Sequence, residues 1–253
     1  MTIFYFTSTG NCLAVAKKIG GHLVSIPQVV DSSDLHFQDD AIGLVFPIYG
    51  FGLPKMVRRF LEKATWNADY SFAIGTYGNL PGAAMMNVQK LFKKHGQHLD
   101  YAQSLLMVDN YLPGFDINDQ IAKLPEKHVD ENLSRIIADI EHRRTLDATA
   151  GLGWRAFTAV IQGGENLFMN GKQGQNYLVS EDCTRCGICA KICPAENIAV
   201  ADKVVFKNQC EGCLGCAHLC PQNAIHLKNE KSAARWRNPD VSLNEMIAAN
   251  KRQ

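Results

Sequence analysis

The feature that most constrains this chain is a cysteine motif that occurs twice between residues 183 and 220. In each copy three cysteines are spaced two residues apart and a fourth precedes a proline: Cys183, Cys186, Cys189 and Cys193, then Cys210, Cys213, Cys216 and Cys220. Eight of the nine cysteines lie in this segment. A loop with three closely spaced thiolates can present them to one face of an iron–sulfur cubane. The repeat therefore predicts two [4Fe–4S] clusters.

Structural zinc is the main alternative, because paired Cys-x2-Cys elements also build zinc sites. A zinc ion takes four ligands in two pairs, which leaves the third cysteine of each copy and the Cys-Pro ends without a role. Disulfides fit the motif less well still. The pattern therefore favours clusters over both alternatives.

The segment closely resembles the bacterial-type two-cluster ferredoxins, in which the cysteine before the proline binds the cluster of the other half. The resemblance implies a first cluster site formed by Cys183, Cys186, Cys189 and Cys220. It implies a second cluster site formed by Cys210, Cys213, Cys216 and Cys193. Because each site takes its fourth ligand from the other copy, the two halves would form one unit.

Apolar residues outside the ligands repeat in the same register. Three pairs align when the copies are superposed: Ile198 with Ile225, Val200 with Leu227, and Val179 with Phe206. These residues form a core that is too small to be stable alone, so the clusters are expected to supply much of the stability of this region.

The rest of the chain is large enough for a conventional domain. Of the 253 residues, 46% are hydrophobic, which allows a full core before the cysteines. We predict an N-terminal domain over 1–150, a linker helix and loop over 151–175, a ferredoxin domain over 176–230, and a tail over 231–253. In the tail, Ser242 and Glu245 have the spacing of a capping box that begins a short helix.

Location and partners follow from the thiols and the charge. Metal-binding thiols require a reducing compartment, and the sequence shows no basic leader and no apolar stretch long enough to span a membrane, so we expect a cytoplasmic protein. The formal net charge of +1 leaves out the negative charge that clusters would add. Nucleic acid is therefore not an expected partner.

Before the cysteines, short apolar runs alternate with helical patterns. Strands are predicted over 3–6, 22–26, 41–46, 70–75 and 101–108, and helices over 54–63, 83–95 and 127–143, besides one directly after the first strand. This alternation predicts an α/β fold with a five-stranded, doubly wound parallel sheet, followed by the smaller α+β ferredoxin domain. Ligands of such sheets bind at the carboxyl ends of the strands.

The loop after the first strand, Thr7-Ser8-Thr9-Gly10-Asn11-Cys12, begins a helix whose N-terminus can bind an anion. Serine and threonine are also ordinary helix caps. The loop resembles the phosphate loop of flavodoxins, which binds the phosphate of FMN, and the resemblance implies that these six residues contact the cofactor. Cys12 stands where that family has threonine or serine. It would weaken phosphate binding slightly, react with oxidants or, as we expect, be an inert, semi-buried thiol.

Two further loops carry aromatic rings between glycines and prolines. Their candidate flavin contacts are Pro47, Ile48, Tyr49, Gly50 and Phe51 in one loop, and Thr76, Tyr77, Gly78, Asn79 and Gly82 in the other. A flat isoalloxazine ring can stack on an aromatic face, and glycine allows backbone amides to approach its edge. The alternative is that Tyr49 and Tyr77 only cap hydrophobic loops. A fourth loop, 109–114, is expected either to reach the flavin or to brace the ferredoxin domain.

Taken whole, the chain resembles the fused flavodoxin–ferredoxin proteins of the EFR1 family, which implies a role in electron transfer. FMN accepts two electrons and each cluster carries one, so we predict a relay between FMN, two [4Fe–4S] clusters and a redox partner protein.

The alternative is an FMN-dependent reductase of a small-molecule substrate that receives electrons through the clusters. The sequence offers no convincing catalytic acid for it; Tyr49, Tyr77 and Tyr111 are the nearby hydroxyl candidates. His218, within the second cysteine copy, is expected at the surface.

Overall fold

The computed structural model describes residues 1–168 and 170–252, and for 165–168 it describes the backbone. The strands before the linker are β1 Thr2–Tyr5, β2 His22–Ser25, β3 His36–Gln38, β4 Ala41–Pro47, β5 Thr65–Asn67, β6 Tyr70–Tyr77 and β7 Tyr101–Leu106. Five of them form a parallel sheet in the order β2-β1-β4-β6-β7. The predicted doubly wound α/β fold is confirmed.

Helices cover both faces of this sheet. They are α1 Asn11–Ile19, α2 Ile26–Val29, α3 Lys55–Leu61, α4 Ala84–Lys94, α5 Ile117–Ala122 and α6 Val129–Glu141, with a 3-10 helix at Pro125–Lys127. The central strands are mostly apolar, in keeping with the burial of both faces: Phe4 and Ile42 pack towards α3 and α4, whereas Ile3 and Val45 pack towards α1 and α6.

Two details differ from the sequence prediction. β3 and β5 form a separate parallel pair that was not predicted, because each has three residues and a single apolar side chain. The helix predicted over 127–143 begins at Val129, and Lys127 lies in the preceding 3-10 helix. His128, with φ of 47°, separates the two helices.

After the linker, the elements are α7 Leu152–Phe168, a 3-10 helix Lys172–Asn176, β8 Tyr177–Val179, α8 Ile188–Lys191, β9 Ile198–Val200, β10 Val204–Phe206, α9 Gly215–His218, β11 Ile225–Leu227 and α10 Leu243–Asn250. β8 pairs with β11 and β9 pairs with β10, both antiparallel. The first strand of each cysteine copy thus pairs with the last strand of the other copy. This ferredoxin-like region is the smaller second part of the predicted fold.

The two copies also share their backbone conformation. Left-handed φ angles occur at three matching pairs of positions: Arg185 and Gly212, Gly187 and Leu214, and Glu196 and Asn223. Ile192 and its counterpart Leu219 are both buried in the same core as β1 and α1. The ferredoxin-like region therefore packs against the sheet domain.

The linker and the tail are more ordered than their composition indicated. The predicted short amphipathic stretch is the start of α7, which continues through Gly163 and Gly164. In the tail, the capping box of Ser242 and Glu245 is present at the start of α10, and Met246 of that helix is buried. The described residues contain no helix with the length and apolarity of a membrane span.

Candidate cofactor sites

A cavity of about 640 Å³ lies where β1, β4, β6 and β7 end. Its lining includes every flavin-loop residue predicted from the sequence except Gly10 and Gly82. Binding cavities for small ligands and cofactors have volumes of roughly 300–1,000 Å³. Three loops that are far apart in the sequence therefore meet around a space suited to a cofactor, which we call the loop cavity.

At one end of the loop cavity, Thr7, Ser8 and Thr9 are buried in front of α1. Gly10 has a φ of 98° and donates its backbone N–H to Thr7 Oγ1 at 3.1 Å. A Cβ on Gly10 would lie 3.1 Å from Asn238 Cβ, so this glycine shapes the loop from the side opposite the cavity. The described lining includes no lysine or arginine. A phosphate there would be held by hydroxyls, backbone N–H groups and the helix dipole.

Cys12 lines this end of the cavity, with its Sγ 3.2 Å from Thr76 Oγ1. Complete burial raises the pKa of the thiol to about 12, so the sulfur is protonated at neutral pH. A neutral thiol is a poor nucleophile, and its position accords with the inert thiol that we expected.

The rest of the lining includes Tyr49, Gly50 and Phe51 of the loop after β4 and Tyr77, Gly78 and Asn79 of the loop after β6. Gly50 and Phe51 adopt left-handed φ angles of 50° and 63° in the tight turn that joins Tyr49 to Gly52. The Tyr49 hydroxyl lies beside Ser8 and Cys213, and burial raises its pKa well above the usual range. The aromatic rings and glycine backbone of these two loops suit a flat ring such as a flavin.

The linker helix α7 covers the loop cavity, which the sequence did not indicate. Val160, Ile161 and Gly164 of α7 line it, and Gln162 donates its Nε2–H to Phe51 O at 2.9 Å. Thr158 is fully buried and accepts the Ala83 backbone N–H at 3.1 Å. A Cβ on Gly82 would lie 2.9 Å from Thr158 Oγ1, so Gly82 admits the helix instead of lining the cavity.

The structure brings the cysteines together in the two predicted groups of four. Cys193, Cys210, Cys213 and Cys216 line one small cavity. Cys189 has a pKa that is raised to about 11, first by burial and then by Cys220, Cys183 and Cys186. In each group one sulfur comes from the other cysteine copy.

The donor atoms in both groups are cysteine sulfurs only, which fits a [4Fe–4S] cluster that would bind them as thiolates. Backbone N–H groups point at three of the sulfurs: Asn197 N to Cys193 at 3.2 Å, Ala224 N to Cys220 at 3.3 Å, and Gly212 N to Cys210 at 3.4 Å. Among the described residues, no three or more His, Cys, Asp or Glu side chains form a group that could hold a single metal ion.

The second cluster site adjoins the loop cavity. Cys213 lines both the loop cavity and the small cavity of its own site. Gly215 packs so closely that a Cβ there would lie 3.0 Å from Ser8 O of the phosphate loop. Glu211 is buried and accepts the Met56 backbone N–H at 3.1 Å. By contrast, Cys186 of the first cluster site is exposed.

The prediction for His218 is wrong, since the side chain is buried and not at the surface. Its Nε2–H donates to Asn110 O at 2.7 Å, and its Nδ1 accepts the Trp236 backbone N–H at 3.0 Å. Burial lowers the pKa of the imidazole to about 4. Because the partners of His218 belong to a distant loop and to the tail, local sequence gave no signal of this burial.

The tail also contacts the phosphate loop. Trp236 Nε1–H and Asn238 Nδ2–H both donate to Asn11 Oδ1, at 3.0 and 3.2 Å, and Asn238 N–H donates to Thr9 O at 2.8 Å. Asn110, in the loop after β7, donates to Thr9 Oγ1 at 2.6 Å. Hydrogen bonds thus connect the phosphate loop to His218 beside the second cluster site.

Two ionisable residues at the loop cavity were not singled out from the sequence. Asp109 lines the cavity, and Lys127 lies buried behind it. One signal was available: a lysine at the predicted start of a helix opposes the helix dipole. In the structure, Lys127 lies before that helix, and its side chain is buried under the loops that follow β6 and β7.

Comparison with known proteins bears on the C-terminal region most directly. Residues 177–199 match the 4Fe-4S binding domain. No curated protein matches the chain. Among solved structures, the chain is similar to a candidate flavoprotein from Bacteroides uniformis at 16% identity and a TM-score of 0.32, over 49% of this chain and 97% of the other. The matched segment contains the first three cysteines of the first cluster site and Cys193.

Proposed function

We propose that this chain is an electron-transfer protein in which FMN, bound in the loop cavity, exchanges electrons with two [4Fe–4S] clusters that serve a redox partner protein. The observation that carries the proposal is the double position of Cys213, which lines the loop cavity and belongs to the second cluster site. A cofactor in the loop cavity would be adjacent to a cluster ligand, and no other domain would need to move.

The residues of the loop cavity fit FMN. Thr7, Ser8 and Thr9 would hold the phosphate at the start of α1, and Tyr49 and Tyr77 would contact the ring. When bound, FMN would accept two electrons and each cluster would carry one, so the protein could convert between two-electron and one-electron transfer. The fused EFR1-type architecture, with domains over 1–150 and 176–230, is part of this proposal.

Burial sets the order of the two clusters. The second cluster site lies against the phosphate loop, whereas Cys186 of the first cluster site is exposed. Electrons would pass between the flavin and the second cluster, then to the first cluster, and leave at the surface near Cys186. The partner would be a one-electron carrier protein that docks there.

The test is an anaerobic reductive titration of the protein reconstituted with FMN, iron and sulfide. We expect one FMN and two [4Fe–4S] clusters per chain, with flavin absorbance and cluster signals changing in equilibrium with each other. Failure to bind flavin would contradict the proposal at its first step. Flavin that changes redox state without any exchange with the clusters would contradict the relay.

A second candidate function is an FMN-dependent reductase of a small substrate. It is favoured by the cover that α7 places on the loop cavity and by Asp109, a carboxyl group that the reductase would require. A reductase should show saturable reoxidation of its flavin by one class of small acceptor, and substitution of Val160 in the cover should change KM. Equal, unsaturable reoxidation by every acceptor would favour the relay alone.

A further inference from the structure

Asp109 lies in the loop cavity near residues that are expected to contact the flavin ring. It follows β7 and lines the cavity beside Gly78 and Asn79. A Cβ on Gly78 would lie 2.1 Å from Asp109 Cβ and 2.4 Å from Asp109 Cγ. The absence of a side chain at Gly78 therefore lets the carboxyl group lie directly on the backbone of the loop that is predicted to meet the flavin edge.

Lys127 lies behind this contact and fixes it. Its ammonium donates to Met107 O at 2.6 Å, to Gln120 Oε1 at 2.9 Å and to Gly78 O at 3.0 Å. The three acceptors come from the ends of β6 and β7 and from α5. One buried cation therefore joins the loop after β6 to the loop after β7, which contains Asp109. Burial lowers the pKa of Lys127, and the charge of Asp109 opposes this shift; the three acceptors stabilise the ammonium form.

The charge state of Asp109 depends on this surrounding. Burial raises the pKa of its carboxyl, while the Tyr111 backbone N–H and the charge of Lys127 act to lower it. Lys127 is the charged side chain that acts on Asp109, and Lys123 acts in turn on Lys127. A carboxyl whose pKa lies closer to neutrality exchanges protons more readily than a solvated one.

The other titratable groups that line the cavity are poorer proton donors. Burial raises the pKa of Tyr49, Tyr77 and Cys12, which keeps these groups protonated at neutral pH. Tyr111 is exposed, and Cys213 belongs to the second cluster site. Asp109 is the carboxyl group among the described lining residues.

We propose that Asp109 is the residue that exchanges a proton with the flavin as electrons arrive and leave, and that Lys127 is the positioning residue that holds it against Gly78. The inference rests on the proposed binding of FMN. When electrons reach a bound flavin, Asp109 would pass it a proton by breaking its carboxyl O–H bond, which leaves a carboxylate. When the electrons leave, the carboxylate would take a proton back and the O–H bond would form again; water would supply or accept any further proton that the flavin exchanges.

A purely structural role for Asp109 must be separated from this one. Its Oδ1 accepts the Tyr111 backbone N–H at 3.0 Å, as Asp116 Oδ1 accepts the Asn118 N–H at 2.8 Å. Asp116 does not line the loop cavity. Asp109→Asn keeps an acceptor of the same size but removes the exchangeable proton, and Asp116→Asn makes the identical change in a matched turn.

The experiment measures proton uptake when the bound flavin is reduced by light and a sacrificial electron donor, in weak buffer with a pH indicator. It also measures the flavin midpoint potential as a function of pH. We expect Asp109→Asn to bind FMN but to take up protons on the order of 100-fold more slowly, because general acids contribute about that factor. In the wild type, the plot of midpoint potential against pH should change slope at the pKa of Asp109. This break should vanish in Asp109→Asn and persist in Asp116→Asn and Asp109→Glu. Lys127→Met should move the break to higher pH, since it removes the charge that lowers the pKa of Asp109.

Proton uptake and a pH break in Asp109→Asn that equal those of the wild type would overturn the inference. If Asp109→Asn does not fold, a break in Lys127→Met at the wild-type pH would overturn it instead. Because light and the added donor reduce the flavin directly, the reduction of the flavin does not require electrons from the clusters. Loss of flavin–cluster exchange in the wild type would therefore contradict the relay and leave the role of Asp109 to be judged by its own result.

Discussion

The two cysteine loops have the same spacing and the same left-handed backbone positions, yet their surroundings differ. Residues 214–219 of the second loop are all buried, whereas among their counterparts 187–192 in the first loop only Cys189 and Ile192 are buried. The differences lie at non-ligand positions: Thr184, Ile188 and Lys191 in the first loop correspond to Glu211, Gly215 and His218 in the second. Each of these three second-loop residues meets the sheet domain.

This comparison separates two kinds of information in one repeat. The cysteines and the left-handed positions define how a cluster would be held, and they are common to both loops. The residues between the ligands define what lies next to the cluster. The second loop is built to pack against the phosphate loop and the loop cavity, so the asymmetry gives the proposed relay its direction.

The largest expected effect comes from removing one ligand from each loop. Cys213→Ala should lose the second cluster and reduce electron exchange between the flavin and the first cluster to near zero. Cys186→Ala is the matched change and should lose the first cluster while flavin exchange with the second persists. Electron paramagnetic resonance with flavin absorbance, followed during anaerobic titration, distinguishes the two. Identical behaviour of both variants would contradict the proposed order of electron transfer from the flavin to the second cluster and then to the first.

Removal of both clusters with a chelator should separate the stability of the two parts of the chain. The strands β8 to β11 have three residues each, and their core includes cysteines of both sites. We expect amide protection over 177–227 to collapse, while β1, β4 and β6 stay protected, because cluster binding supplies folding free energy to the small region. Hydrogen exchange before and after chelation tests this. Equal loss of protection in both parts would contradict it.

A smaller effect is expected for a methyl group at the contact between the second loop and the phosphate loop. In Gly215→Ala the new Cβ would lie 3.0 Å from Ser8 O, so overpacking should cost about 1–3 kcal/mol of unfolding free energy and weaken FMN binding. Gly163→Ala places the same methyl in open space on α7 and should add about 0.5–1 kcal/mol. Denaturant unfolding and flavin fluorescence measure both. A neutral Gly215→Ala would show that the contact is loose.

The smallest effect compares His218 with its counterpart Lys191. His218→Gln should cost about 1 kcal/mol, because the glutamine amide can still donate to Asn110 O but would leave the buried Trp236 N–H without its acceptor. Lys191→Gln changes an exposed side chain and should stay within about 0.5 kcal/mol. Thermal unfolding of the reconstituted variants compares them, and an equal cost at both positions would argue that the loops are equivalently packed.

Local patterns predicted the sheet because its strands are short, largely apolar runs between helical patterns, and they predicted the three loops because those loops directly follow strands. The β3 and β5 pair was missed, since one apolar residue in three carries no period. The burial of His218, the cover formed by α7 and the contact of Lys127 with Gly78 and Met107 were missed for a different reason. Each depends on the packing of segments that are distant in the sequence, and a single sequence records no such contact.

The most direct test of the proposed relay is flash reduction of the bound flavin, with the spectra of the two clusters followed separately in time. The proximity of Cys213 to the loop cavity predicts that the second cluster is reduced first and the first cluster follows. Reduction of the first cluster before the second, or of neither cluster, would contradict the account.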